Sequence, residues 1–185
     1  MSLVVKYDPT ATNFERPVGI QQAIVSSVVD MGDRPDPFHE GKMKHQVAIT
    51  WQLGATYKKD DKVFPLQQTE IYNFSLNEKA KLRAIIEGII GKSLSNGKNE
   101  ISFDLEMLVG VNCILTMALK DPESQYTKIV ATAPLMANLA PLKLVDLPIP
   151  SWIVEMRDGK KATVVDPSSK KGMSEDELNA ILART

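Results

Sequence analysis

Large apolar residues recur at every second position along HQVAITWQL, residues 45–53, which puts Val47, Ile49, Trp51 and Leu53 on one side of an extended chain. A period of two sustained that long fits a half-buried strand and no helix. Four other stretches share the texture. GIQQAIVSSVVDM (residues 19–31) is rich in β-branched residues, and residues 63–74 carry Pro65 near their start, where a missing donor costs least. Residues 111–120 place Val111, Cys113, Leu115, Met117 and Leu119 on one face, and residues 126–133 form the fifth stretch.

The period changes between the third and fourth stretches. In LNEKAKLRAIIEGIIG, residues Leu82, Ile85, Ile86, Ile89 and Ile90 make one stripe at helical spacing. Ser75 and Glu78 form a capping box ahead of it, and Gly91 suits a left-handed stop. SFDLEMLVG adds a short helix with Ser102 as cap and Gly110 as stop. Five short strands with a helix between the third and fourth match the OB-fold, a five-stranded Greek-key barrel with helical insertions. An open α+β sandwich is the alternative. The expected organisation is an arm over 1–17, an OB-fold-like barrel domain over 18–136, and a C-terminal extension over 137–185. In that extension PLMANLAPLKLVDLPIPSW is expected to run extended along the barrel or as a linker. WIVEMRDGKKATVV suits a hairpin turning at Asp158 and Gly159, and Ser174 with Glu177 caps a short terminal helix.

Composition narrows the function classes. The chain has 185 residues, 43% apolar and 24% charged, as an ordinary globular protein does. No apolar run is long enough for a membrane helix, and the first residues lack the pattern of a secretory signal. A single cysteine, Cys113, excludes an intrachain disulfide and suits a reducing cytoplasm, the expected location. The net charge of −1 gives no global attraction for nucleic acid, so such a partner has to meet a local patch.

The catalytic and metal motifs fail one by one. GIIGKS (residues 88–93) lacks the four-residue spacing of a phosphate loop and closes a helix, where carbonyls repel phosphate. His39, Glu40 and His45 lie in a glycine-containing loop, not on one helix face as a zinc pair requires. Asp30, Asp33 and Asp36 lack the alternate spacing of a calcium loop and read as turn formers. Cys113 falls in the apolar phase of a strand and reads as an inert core thiol. No G-x-S-x-G elbow is present. The sequence therefore predicts no enzyme, no catalytic residue, no metal and no cofactor.

Basic and aromatic residues remain. Single-stranded nucleic acid is held by cations along the phosphates and by rings stacked on bases. Phe38, Lys42, Lys44 and His45 cluster between the first two strands, and Tyr57, Lys58, Lys59 and Lys62 between the second and third. Tyr126 and Lys128 share a strand face, as do Tyr72 and Phe74. Strands two and three and the neighbouring loops form the usual OB-fold groove. The plainer alternative is that Trp51 is a core residue, that Tyr72 and Phe74 are half core and half staple against the helix, and that Asp60 and Asp61 make YKKDDK a solvated turn.

Three segments carry a resemblance: VVDMGDRPDPFHEGKMKHQVAITWQL, YNFSLNEKAKLRAIIEGIIGKSL and FDLEMLVGVNCILTM. Together they resemble a family of small OB-fold single-stranded DNA-binding proteins of tailed bacteriophages, over roughly residues 17–136. Recurring features stand here as Val29-Asp30-Met31-Gly32, Phe38 with Gly41-Lys42, Lys44-His45, Trp51-Gln52-Leu53, Ser75-Leu76 with Glu78-Lys79-Ala80 and Leu82-Arg83, and Phe103-Asp104-Leu105 with Gly110 and Cys113. The resemblance implies polyanion binding through the loop lysines and a role in phage replication or recombination. The expected function is thus sequence-nonspecific binding of single-stranded DNA. Lys42, Lys44, His45, Lys58, Lys59 and Lys128 would meet phosphates, and Phe38, Tyr57, Tyr72 and Tyr126 would stack. The competing expectation is a protein–protein interaction module of a phage replication complex, without direct DNA contact. Phage or host replication and recombination proteins are the partner class in either case, no membrane partner is expected, and homo-oligomerisation stays open.

Overall fold

A computed structural model describes residues 16–36, 39–95, 101–124 and 126–157. Five strands, β1 (Gly19–Pro35), β2 (Met43–Lys59), β3 (Lys62–Asn73), β4 (Asn112–Leu119) and β5 (Thr127–Pro134), form one antiparallel sheet in the order β3-β2-β1-β4-β5. The helix α1 (Lys81–Ile90) lies between β3 and β4, and a shorter helix, α2 (Ser151–Glu155), follows β5. The architecture is mostly β and barrel-like. Capping boxes, arms and turns expected at residues 1–15 and 158–185 lie outside the described residues, including the Asp158–Gly159 turn and the Ser174 cap.

β1 is the pivot because it pairs with β2 along most of its length and with β4 along its first six residues. Register shifts between Val25 and Ser27 and between Asp30 and Gly32 bend it, as bulges do. The bent sheet curls until its edges, β3 and β5, face each other. No backbone ladder joins them among the described residues. Side chains do so instead. Gln68 Nε2 donates to the Thr127 carbonyl at 3.2 Å, and the Thr127 hydroxyl donates to Gln68 Oε1 at 3.1 Å. One step along, the Ile129 amide donates to Glu70 Oε1.

The alternating phase of β2 enters the enclosed core. Val47, Ile49, Trp51 and Leu53 are buried with Ala23, Val25, Cys113, Leu115, Met117 and Ile129. α1 closes the core with Leu82, Ile85, Ile86 and Ile89, the stripe that the helical spacing predicts. Its stop is also as expected: Gly91 has φ +69° and donates its amide to the Glu87 carbonyl. The start differs. Ser75 accepts from the Asn77 amide at 3.3 Å and Ala80 occupies the N-cap, with no side-chain cap. Ser75 is spent on the turn that carries the chain from β3 across to the helix. Similarly, Asp104 rather than Ser102 caps the next segment, a 3₁₀ turn over Leu105–Leu108.

Residues 135–150 hold no helix or strand and bond to the sheet, but the residues after them differ from expectation. A hairpin strand beginning at Trp152 is replaced by α2, which starts directly behind Pro150, a residue suited to a helix entrance. Ile153 on α2 is fully buried with Val29, Met31 and Ala48, on the side of β1 and β2 away from the main core. That is why Ala48, in the polar phase of β2, is buried; Gln52, in the same phase, is covered instead by the main chain of Lys143 and Val145.

Two consequences are measurable. A Cβ on Gly88 would sit 2.5 Å from the Thr132 carbonyl oxygen, because α1 lies directly on β5 there. Gly88→Ala is expected to lower stability by about 2–3 kcal/mol, read as a reduced urea midpoint with unchanged slope. Glu87 accepts from the Leu94 amide (2.8 Å), Arg83 Nε (3.0 Å) and the Ser93 hydroxyl (3.2 Å). The Leu94 amide, foremost, holds its carboxyl below the usual glutamate range. A lowered folded-state pKa stabilises above the unfolded value and is lost as pH falls through the folded one. Glu87→Gln should therefore cost about 1–2 kcal/mol at neutral pH. The gap to the native chain should close in acid, as followed by thermal unfolding from pH 7 down to 3.

Candidate nucleic-acid interface

The lysine clusters do not form one trough. Lys42, Lys44 and His45 stand at the start of β2, and Tyr57, Lys58 and Lys59 at its far end. The first group is also largely neutralised. Lys44 Nζ lies 2.8 Å from Asp36 Oδ2, and His39 Nδ1 lies 2.7 Å from the same oxygen. The Asp36 side chain is 0% exposed, so this carboxylate is committed to the turn and not to solvent. His45 sits between Asp30 (2.9 Å) and Asp33 (3.1 Å), edge-on to Phe74 at 5.1 Å. The three aspartates that read as turn formers thus hold the basic groups beside them. Lys42 is exposed at the turn. Phe38 lies outside the described residues.

Tyr72 is a correction. It is 3% exposed, packs edge-on to Trp51 at 6.4 Å, and donates its hydroxyl to Glu70 Oε2 at 3.1 Å. Burial, then the neighbouring Glu70 charge, pushes its pKa far up. It fills the core and cannot stack on a base. Phe74, its neighbour in sequence, is exposed.

At the other end of the sheet the geometry is more permissive. Asp60 and Asp61 both have positive φ (50° and 61°) and close a two-residue hairpin between Lys59 and Lys62. That places Lys58, Lys59 and Lys62 together at its tip, all exposed. Tyr57 is opposite Phe64, with ring centroids 5.7 Å apart; both are half-buried, with Tyr57 resting against the core edge. The β4–β5 hairpin opens at the same end, because Gln68 and Thr127 set β5 beside β3 in fixed register. It contributes Tyr126, Lys120 and Lys128, all exposed, with the Arg16 guanidinium 5.8 Å above the Tyr126 ring. Arg16, Lys58, Lys59, Lys62, Lys120 and Lys128 there face Asp60, Asp61, Asp121 and Glu123, a local excess of cations.

Sequence reasoning passed over two groups. Arg16 and Lys120 become relevant only once β4 and β5 pair, since Lys120 donates its amide to the Tyr126 carbonyl across the hairpin. Lys79 and Lys81 line an open cavity of about 450 Å³ with Ile71, Asn73, Ser75 and Asn77, at the mouth between β3 and α1. Lys81 also pairs with Glu70 at 3.1 Å and lies 5.4 Å from the Tyr72 ring. Among the described residues no cluster of three or more metal-ligating side chains occurs, and no helix is long and apolar enough to cross a membrane. Burial pushes the Cys113 thiol up to about 12.

Comparison with protein-family models, curated proteins and solved structures finds no match.

The role assigned to Asp36 can be checked directly. Asp36→Ala leaves Lys44 and His39 without their shared acceptor and should lower stability by about 2 kcal/mol. Asp33→Ala, at an exposed carboxylate, should cost under about 0.5 kcal/mol; thermal denaturation of the two variants compares them.

Proposed function

We propose that this chain is an OB-fold-like Greek-key barrel that binds single-stranded DNA without strong sequence preference, in support of phage replication or recombination in the host cytoplasm. The observation that carries the proposal is the convergence of two hairpins at one end of the barrel. The two hairpins and the residue Arg16 supply six cations at that end, with Arg16 over the exposed Tyr126 ring and the Tyr57–Phe64 pair in the β2–β3 hairpin. Flexible ammonium groups meet phosphates without reading bases, and rings accept any base on their faces. The mechanism involves no covalent step. Strand order supports the fold assignment: β1 pairs with both β2 and β4, and β3 and β5 meet across the seam, as a partly open five-stranded barrel requires.

A second reading, an interaction module without DNA contact, is favoured by one observation. Ile20 is 69% exposed on β1, and Val18, two residues before it, is exposed as well. Such a patch suits a protein partner of a replication complex.

Fluorescence titration with labelled oligo-dT across a salt series tests the proposal. Binding is expected at low salt, with log K falling by about 0.7 per phosphate contact for each unit of log salt. Lys58→Glu combined with Lys59→Glu and Lys128→Glu should weaken binding about 10- to 100-fold, whereas Lys44→Glu should change it less than about 3-fold. Absence of binding at low salt would remove the DNA reading and leave the interaction module.

A further inference from the structure

Three amide side chains on the outer face of the sheet bind one continuous stretch of main chain. Gln22 Nε2 on β1 donates to the Ala140 carbonyl at 2.6 Å. Asn112 on β4 takes Leu142 at both ends, donating to its carbonyl at 3.2 Å and accepting from its amide at 2.7 Å. Gln52 on β2 donates to the Lys143 carbonyl at 2.9 Å and accepts from the Val145 amide at 2.8 Å. A side-chain amide offers one donor edge and one acceptor edge, which is the complement of a peptide unit. Farther along, Ile153 is fully buried between Val29, Met31 and Ala48. Residues 140–153 are thus held by main-chain recognition plus one apolar anchor, the manner in which an extended peptide is held in a groove.

The connection to the barrel is slight. Residues 136–141 are all exposed, between Pro134 at the end of β5 and Pro141, and one backbone bond, from the Leu139 amide to the Met136 carbonyl, crosses them. Every contact that the segment makes with its own sheet is available unchanged to the same segment of another copy. Exchange between copies therefore loses no contact, and concentration decides it. The apolar strip at Val29, Met31, Ala48 and Ile71 has no lysine and no ring to offer a phosphate or a base. The amide clamps match a peptide's N–H and C=O groups.

We propose that this groove accepts residues 140–153 of a second copy in exchange for its own, so that copies associate by swapping C-terminal straps. This is independent of the DNA reading. A Cβ built on Gly54 lies 3.7 Å from Leu142 Cδ2, so cysteines at these positions report which strap fills which groove. Full-length Gly54→Cys is mixed with full-length Leu142→Cys at about 1 mM and treated with a short bismaleimide; Cys113, fully buried, stays out of the reaction. A covalent heterodimer in the mixture, absent from either variant alone, is expected. The double variant in a single dilute chain should link internally. Internal linking without any heterodimer in the mixture overturns the proposal. Should the cysteines fail to link even within one chain, a fluorescein-labelled peptide of residues 138–157 titrated into the native chain decides. Saturable binding that Gln52→Ala weakens at least 10-fold supports exchange, and no saturation overturns it. Displacement of that peptide by oligo-dT would reassign the groove to nucleic acid and overturn it as well.

Discussion

The seam between β3 and β5 is the constraint on which the rest of the molecule depends. A sheet that stops one ladder short of closing leaves two strand edges with unpaired amides and carbonyls. Gln68 and Glu70 fill that gap with side-chain oxygens and nitrogens placed where a neighbouring backbone would offer them. Glu70 is the busier of the two. Its carboxylate receives the Ile129 amide, the Tyr72 hydroxyl and the Lys81 ammonium, so one group ties β5, β3 and α1 together. Burial of Trp51 and Tyr72 beneath it follows, because the aromatic pair needs a closed wall to be removed from water.

Closure also explains which parts of the fold were legible. The inward phase of β2, the stripe of α1 and the glycine stop at Gly91 each depend on a periodicity or a backbone angle that adjacent residues determine. All three follow from the residues alone. The outward phase does not. Ala48 looks like a surface position until Ile153, about a hundred residues later, arrives to cover it. Alternation identifies two faces, but it does not say that a distant segment will dry the second one. The misplaced start of α1 has a related cause. Ser75 and Glu78 satisfy the spacing of a capping box, yet the chain first has to turn away from β3, and Ser75 is consumed in that turn.

The candidate site was legible as composition and obscure as geometry. Tyr57, Lys58, Lys59, Tyr126 and Lys128 could be singled out by chemical type, and the fold places them at one end. Lys44 and His45 have the same chemistry and a different fate, because β1 and the turn after it bring Asp30, Asp33 and Asp36 alongside. Sequence distance gave no warning that His45 would meet Asp30 across a bulged strand pair. Tyr72 shows the converse: the β2–β3 register sets it opposite Val47 and edge-on to Trp51, which places it in the core, although it shares a strand phase with the exposed Phe74.

Net charge is a poor guide to such a molecule. Lys44 and Lys58 are separated by fourteen residues of one strand, roughly 45 Å along an extended chain. That is several times the screening length of about 8 Å at physiological salt. Asp36 beside Lys44, and Asp30 and Asp33 beside His45, therefore cannot cancel the field at the hairpin tips, and the near-zero total is a sum over regions that do not sense one another. What a polyanion would meet is the local balance at the β2–β3 and β4–β5 hairpins, where Asp60 and Asp61 are committed to making the turn and the lysines flanking them project into solvent. The two aspartates that dilute the patch are also the residues that build it, since without a tight turn Lys59 and Lys62 would not lie side by side.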